Sequence, residues 1–203
     1  SYKHRILYYG PSSSKDLLAT INQYHQVPAA LKDIPAGNEY SYLETPVTKV
    51  LVAPYDAKQI YMAQISNLDK KYDPAIEPIR ALYDEYFGGG MNSIVFQEMR
   101  ETRGLAYSAW ASIMPPSYLK YPYVLRTQIA TQNDKMIDAV TTFNDIINNM
   151  PESEAAFKLA KDGLTNRLRT ERIIKGDIIW SYINAQDLGP VSYTHLTLPT
   201  SDL

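Results

Sequence analysis

Residues 86–108 read Tyr86-Phe87-Gly88-Gly89-Gly90-Met91-Asn92-Ser93-Ile94-Val95-Phe96-Gln97-Glu98-Met99-Arg100-Glu101-Thr102-Arg103-Gly104-Leu105-Ala106-Tyr107-Ser108. Three consecutive glycines lack a Cβ atom, so the chain can turn sharply there and approach another group closely. Asn92 or Ser93 is placed to cap a short helix, and Gly104 is placed to end it in a left-handed conformation. The stretch therefore predicts a tight turn followed by a short helix with a defined end.

The apolar residues of this stretch change their periodicity at Gly104. Before it, a helical stripe is predicted from Met91, Val95, Phe96 and Met99. After it, strict alternation predicts a strand over 105–114, with one face formed by Leu105, Tyr107, Ala109, Ala111 and Ile113. Arg100 lies at the border of the helical stripe. We therefore expect the helix, the glycine stop and the strand to bring Arg100 and Tyr107 to one corner.

The rest of the chain alternates between strand and helix patterns. Strands are predicted at 4–9, 47–52, 59–65 and 121–131, the second and third of them joined as a hairpin. Helices are predicted at 12–25, at 74–87, after a cap at Asn133, after a cap at 151–153, and at 177–188. This order favours an α+β fold: a mainly antiparallel sheet with helices packed on one face.

Length and composition favour a globular domain and argue against several classes of function. A chain of 203 residues is long enough for a substantial core. A net charge of −2 provides no basic field for nucleic acid, and no apolar run approaches the roughly 18–20 residues of a membrane span. The absence of cysteine excludes a disulfide framework and Cys-based zinc sites. It leaves the compartment open between bacterial periplasm and cytoplasm.

The two ends are expected to bound an incomplete domain. The first five residues are neither a signal peptide nor an initiator methionine, and they are typical of a cut inside a longer protein. Residues 191–203 continue no earlier pattern and resemble the translated read-through of a sequencing adaptor. We therefore predict one domain over 1–190, incomplete at both ends, and a non-native tail over 191–203 in which His195 has no role.

The run from Gly88 to Tyr107 resembles the zinc-free half of the pitrilysin/insulinase family of zinc metallopeptidases. That half has a glycine-containing helix junction, then an Arg, six residues, and a Tyr at the head of a strand. Here the glycines at 88–90, Arg100 and Tyr107 match this pattern. The order of elements supports the resemblance from about residue 4 to about residue 189. It implies the metallohydrolase-like α+β repeat unit of that family.

The resemblance also implies a function and a set of site residues. The complete enzyme would be a metalloendopeptidase that hydrolyses peptides in a closed chamber, and this chain would be its substrate-binding subdomain. Arg100 and Tyr107 would hold the substrate carbonyl and the oxyanion formed from it. The substrate-facing surface would include Gly88, Gly89, Gly90 and Ser93. A partner subdomain, fused or separate, would supply zinc, a general-base glutamate and the activated water.

No zinc is expected on this chain itself. The family holds its metal with a His-x-x-Glu-His helix and a distant Glu, and that motif is absent here. The three histidines are His4, His25 and His195, and no two of them share a helical turn. His25 is interpreted as an ordinary surface or half-buried side chain.

Structural roles compete with each functional one. Arg100 also suits a solvated charge run and Tyr107 a packed strand position, and the glycines suit a simple turn between helices. A solvated helix face is favoured over acid–base chemistry for Asp84, Glu85, Glu98 and Glu101, and packing is favoured for Trp110 and Trp180. For the whole protein, the alternative is a catalytically inactive homologue that serves as an assembly or scaffold subunit, as the resembled core subunits of respiratory complexes do.

Overall fold

A computed structural model describes residues 1–38 and 44–188, which form two compact units. Among these residues, the first unit contains 1–38 and 172–188, and the second contains 44–171. The predicted tail at 191–203, with His195, lies outside the described residues. The predicted single domain over 1–190 stays a prediction.

The second unit is built on three strands: β1 (Gln59–Lys71), β2 (Ser108–Met114) and β3 (Pro122–Gln132). They form one antiparallel sheet in the order β1-β3-β2. Gln59 pairs with Gln132, and Ser108 pairs with Ala130. The start of β1, the start of β2 and the end of β3 therefore meet at the same end of the sheet.

The helices of this unit follow in chain order. A 3₁₀ turn at Pro74–Ile76 leads into α2 (Glu77–Phe87), and α3 (Ile94–Phe96) continues as a π-helical segment, Gln97–Thr102. A second 3₁₀ turn at Asn133–Lys135 leads into α4 (Met136–Asn148), which is followed by α5 (Glu154–Thr170). Ser153 caps α5, as predicted, by accepting a hydrogen bond from the Ala156 N–H at 3.2 Å. The prediction that Asn133 caps α4 is wrong: Asn133 is the first residue of the preceding 3₁₀ turn, and neither this turn nor α4 has a side-chain cap.

The core lies between these helices and one face of the sheet. Its fully buried members come from both layers: Phe87, Val95, Met99, Ala111, Ile129, Ala139 and Phe143. On the opposite face of β1, Tyr61 is exposed. The arrangement confirms the predicted α+β fold with an antiparallel sheet, since apolar side chains on one face of each layer are removed from water together.

Two predicted strands, 4–9 and 47–52, are not strands. Residues 47–52 are exposed and join no ladder with any described residue, so the predicted hairpin with 59–65 is wrong. In the described part of the first unit, the bridge found is a single one between Tyr2 and Lys32. An apolar alternation marks a segment that is suited to a sheet, but a strand also needs a hydrogen-bonding neighbour.

The first unit contains α1 (Ser14–Tyr24) and α6 (Gly176–Leu188). Ser13 caps α1 by accepting a hydrogen bond from the Asp16 N–H at 3.2 Å. Arg5 donates to the side-chain oxygen of Gln186 at 2.8 Å. In neither unit is any described helix long and apolar enough to cross a membrane.

Candidate functional site

The glycine run connects the end of α2 to the start of α3 along the chain, and its first residue packs against β2. A Cβ atom on Gly88 would collide with the backbone of Ala111, so only glycine allows the end of α2 to lie this close to β2. Gly89 donates its N–H to the Asp84 carbonyl at 2.6 Å. A Cβ on Gly90 would meet nothing within 4 Å. The structure therefore gives Gly88 a packing role and leaves Gly90 without a steric requirement.

Ser93 is the residue that caps the predicted helix. Its hydroxyl donates to the Gly90 carbonyl at 2.6 Å and accepts from the Phe96 N–H at 3.4 Å. Ser93 is fully buried and Gly88 is buried, whereas Gly89 and Gly90 are exposed. A direct contact of substrate with Ser93 or Gly88 is not expected in this arrangement, and the role of the exposed glycines stays a prediction.

Gly104 ends the helical segment as predicted. It has φ +56°, and its N–H donates to the Arg100 carbonyl at 3.2 Å. The carbonyl of Met99 then accepts from both Leu105 at 2.8 Å and Ala106 at 3.2 Å. A β-carbon is strained at this φ, so a glycine here lets the chain reverse within three residues.

The predicted alternation is wrong for the three residues before Ser108. Ala106, Ala109 and Ala111 are buried, whereas Tyr107 is 68% exposed instead of sharing a face with Ala109. Regular pairing starts at Ser108, although the Tyr107 N–H already donates to the Ala130 carbonyl at 2.8 Å. Tyr107 therefore has a fixed backbone and a side chain directed to solvent. The predicted stripe is also too long, because Met91 precedes the helix and is exposed.

Arg100 and Tyr107 lie next to each other at the surface. The Arg100 guanidinium carbon is 5.5 Å from the centre of the Tyr107 ring and 5.1 Å from that of Phe96, within the range of a cation–π contact. The Arg100 Nε lies 3.6 Å from a Glu101 carboxylate oxygen, a long ion pair between half-exposed side chains. Within residues 1–38 and 44–188, the Tyr107 hydroxyl has no hydrogen-bond partner. Both side chains therefore have donors free for a ligand.

Both side chains line a cavity of about 260 Å³ at the end of the sheet where β1 and β2 start. Its wall is formed by Gln59, Arg100, Gly104, Leu105, Ala106, Tyr107, Thr131, Gln132 and Lys135. Gln59, Gln132 and Lys135 were not singled out in the sequence, because no local pattern links residues this far apart. Strand pairing brings Gln59 to Gln132, and the Lys135 ammonium donates to the Gly104 carbonyl at 3.0 Å.

The glycine run does not share this cavity. Gly90 and Met91 border a smaller depression of about 120 Å³ together with Leu159 and Gly163 of α5. The predicted site residues are thus separated: Arg100 and Tyr107 line one concave surface, and the exposed end of the glycine run borders another.

The carboxylates considered as acid and base are held in structural pairs. Asp84 accepts from the Ile113 N–H at 2.9 Å, from the Ser112 hydroxyl at 3.0 Å and from Arg80 at 2.8 Å. Burial raises the pKa of Asp84, and these three donors oppose that rise. Glu85 accepts from Arg167 of α5 at 2.7 Å. These contacts tie α2 to β2 and α5, which supports a structural role over proton transfer. The predicted solvated helix face is wrong for Asp84, because its side chain is only 20% exposed and accepts from these three donors.

The described residues do not fit a resident zinc ion. Among residues 1–38 and 44–188, no group of three or more His, Asp or Glu side chains is arranged to hold a metal. His4 and His25 face each other with their Nε2 atoms 2.8 Å apart, and the His4 Nδ1 lies 2.8 Å from the Tyr2 carbonyl. A zinc centre takes three or four protein ligands, and this pair supplies two.

Three solved structures have a similar fold. A peptidase M16 inactive domain from Pseudomonas fluorescens matches at a TM-score of 0.61 and 18% identity, over 91% of this chain and 43% of that one. A protease from Helicobacter pylori matches at 0.56 and 15%, over 94% and 48%. A conserved protein from Enterococcus faecalis V583 matches at 0.57 and 18%, over 86% and 40%. At these identities the likeness shows the fold alone, and the chain spans less than half the length of each structure.

The family described as the peptidase M16 inactive domain matches residues 6–164, which is most of the chain. A search of curated proteins found no match. The family match includes both Arg100 and Tyr107, and it confirms the resemblance first seen in residues 86–108. The chain belongs to the family of peptidase M16 inactive domains.

Proposed function

We propose that this chain is the zinc-free half of a metalloendopeptidase and that Arg100 and Tyr107 hold the carbonyl group of the bond to be cleaved. The observation that supports the proposal most directly is the position of these two side chains. They lie next to each other, exposed, on the wall of one cavity. A concave surface with a few convergent polar groups is the usual form of a binding site.

The chemistry expected of the pair follows from its donors. Arg100 offers guanidinium N–H groups and Tyr107 a hydroxyl group, and a peptide carbonyl oxygen can accept from both. When a nucleophile adds to the carbonyl carbon, that oxygen becomes negative, and donors already in place stabilise the charge. One such donor lowers the barrier by about 2.7–4 kcal/mol. The two side chains would therefore bind and orient the substrate and stabilise the oxyanion.

The remaining chemistry belongs to a partner in this proposal. A metal-binding half, fused or separate, would supply zinc and the activated water, because the described residues of this chain do not fit a zinc site. The membership of this chain in the inactive-domain family supports that division. The exposed Gly89 and Gly90 would contribute to the chamber wall at a second position, where Gly90 borders the smaller depression beside α5.

The test is a Tyr107→Phe substitution in the complete protein together with its metal-binding half. We expect kcat for peptide hydrolysis to fall by about 10²–10³, because the oxyanion loses one donor while the ring and its packing remain. The matched control is Tyr55→Phe, which removes a hydroxyl from a side chain that is 89% exposed and outside the cavity. Unchanged turnover in Tyr107→Phe, with the melting temperature equal to wild type, would remove Tyr107 from the mechanism. The absence of any peptide turnover in the wild-type complete protein would favour the alternative of an inactive scaffold subunit.

A further inference from the structure

The charges on the wall of the Arg100–Tyr107 cavity are of one sign. Of its nine lining residues, two are cations, Arg100 and Lys135, and none is an acid. The rest are the neutral polar side chains of Gln59, Thr131, Gln132 and Tyr107 and a short apolar wall at 104–106. A concave, partly desolvated surface focuses the potential of such charges, so this cavity attracts anions.

Lys135 is held at this cavity without being neutralised. Its ammonium group donates to the Gly104 carbonyl at 3.0 Å, which leaves two of its three N–H donors. No described residue forms an ion pair with it, although Asp134 precedes it and Asp138 lies three residues further on. An ammonium group that is held in position by a carbonyl and forms no ion pair with a described residue is suited to an anionic ligand.

Arg100 has a carboxylate beside it, but that contact is weak. A Glu101 carboxylate oxygen lies 3.6 Å from the Arg100 Nε atom, and Glu101 does not line the cavity. The terminal guanidinium nitrogens of Arg100 remain available for the substrate carbonyl, which is the role already proposed for this residue. The second cation, Lys135, has no part in that role.

The size of the cavity indicates which part of a peptide fits it. Sites for drug-sized ligands occupy roughly 300–1,000 Å³, and this cavity holds about 260 Å³. A side chain or a chain end of a peptide fits a cavity of this size. The anions that a peptide provides at this size are the carboxylates of Asp and Glu and its own C-terminus.

We propose that the cavity binds a carboxylate of the peptide substrate and that Lys135 is the residue that selects it. The carboxylate would accept from the free donors of Lys135 while its aliphatic portion lies on Leu105 and Ala106. This inference rests on the proposed peptide-binding function, and it adds a preference: peptides with an acidic side chain or a free C-terminus near the held carbonyl.

The experiment measures equilibrium binding of peptides to the complete protein after a chelator has removed its metal. The peptides are then not hydrolysed, so the result does not depend on turnover. The probes are an alanine-rich peptide with blocked ends and one central Glu, its Gln counterpart, and the parent alanine peptide with a free or an amidated C-terminus. We expect the favoured carboxylate peptide to bind about tenfold more tightly than its neutral counterpart, in line with a hydrogen bond to a charged group. Tighter binding of the Glu peptide identifies a side chain as the ligand, and tighter binding of the free-ended peptide identifies the C-terminus.

Lys135→Met should abolish the difference between the carboxylate peptide and its neutral counterpart, and Lys135→Arg should retain most of it. Lys161→Met is the matched control, since Lys161 is exposed on α5 and outside the cavity. Equal affinities of wild type for charged and neutral peptides would overturn the proposal, as would a preference that survives Lys135→Met. Neither result affects the carbonyl role, which is tested separately by turnover of the neutral peptide in Tyr107→Phe.

Discussion

Arg80 and Arg100 lie in the same compact unit, yet their guanidinium groups have opposite surroundings. Arg80 is 19% exposed and donates to Glu77 at 2.9 Å, to Asp84 at 2.8 Å and to the Ile113 carbonyl at 3.0 Å. Arg100 is 45% exposed, and its one carboxylate neighbour, among the described residues, is Glu101 at 3.6 Å. Aromatic rings rather than acceptors hold it in place.

The difference in hydrogen bonding indicates a structural role for Arg80 and a ligand-binding role for Arg100. The acceptors of Arg80 are themselves satisfied: Tyr123 donates to Glu77 at 2.6 Å, and Ser112 and the Ile113 N–H donate to Asp84. A network that is complete in this way fixes α2 against the edge of the sheet. A guanidinium that is positioned by rings keeps its N–H donors for another molecule. The unit therefore uses one arginine to hold its fold and presents another to solvent.

The largest effect should come from removing the exposed arginine and measuring catalysis. In the complete protein with its metal-binding half, Arg100→Met should lower kcat/KM for a neutral peptide by about 10²–10³, because a donor to the oxyanion is lost. The melting temperature should remain within the error of wild type, since no buried group loses its partner. The control is Arg103→Met, an exposed cation paired with Glu98 at 3.3 Å and outside the cavity. Equal kcat/KM values in Arg100→Met and Arg103→Met would contradict a specific role of Arg100 in catalysis.

The complementary experiment replaces Arg80, the arginine whose donors are hydrogen-bonded within the fold, and measures stability. Arg80→Met should lower the free energy of unfolding by about 2–3 kcal/mol, because the carboxylates of Glu77 and Asp84 then lack their cation in a partly buried site. Chemical denaturation of the chain gives this value directly, with Arg100→Met as the matched control. A loss equal to that of Arg100→Met would mean that the network does not hold the fold.

The close contact between α2 and β2 can be tested at the glycines. Gly88→Ala should destabilise the chain by about 1–3 kcal/mol, since the added methyl collides with the Ala111 backbone. Gly90→Ala adds the same group where nothing lies within 4 Å, and it should change the free energy of unfolding much less. Denaturation curves of the two variants measure the difference. Equal losses would show that the contact at Gly88 is not the reason for a glycine there.

The remaining effect concerns alkaline pH. Burial raises the pKa of Tyr83 to about 12, with a contribution from the charge of Asp84, and burial together with the Glu77 hydrogen bond raises that of Tyr123 to about 12. Both folded values exceed the unfolded value of about 10, so the folded state binds more protons between these pH values and its stability falls as pH rises from 10 to 12. Unfolding free energies across this window, compared with Tyr123→Phe, measure the contribution of Tyr123. A flat profile in wild type would contradict the prediction.

The sequence predicted well those elements whose signals are local. Ser93, Gly104 and Ser153 act where they were predicted to act, since a cap or a left-handed turn is decided by a few neighbouring residues. Local signals failed where pairing was needed. Residues 4–9 and 47–52 have the composition of strands but no ladder among the described residues. A strand is decided by a distant neighbour that periodicity does not identify.

Some residues of the candidate site could likewise be predicted from local sequence, and others could not. The spacing of Arg100 and Tyr107 around a glycine stop could be seen in the chain, and the two side chains do lie in contact. Lys135 and Gln59 could not be found, because only the pairing of β1, β2 and β3 places them at the same end of the sheet. Tyr107 was assigned to the wrong face, because the alternation was extended over three residues that precede regular pairing.

The sequence by itself determined the cap at Ser93 and the glycine stop at Gly104, because each depends on a few neighbouring residues. It also determined the family, because the match needs only the order of residues along 6–164. The tertiary structure alone decided which arginine is saturated and which is free. That distinction depends on acceptors contributed by distant segments: Ile113 of β2 reaches Arg80, whereas no described segment brings a comparable acceptor to Arg100. Hydrogen-bond saturation is a property of packing, and packing is settled only when the sheet and its helices meet.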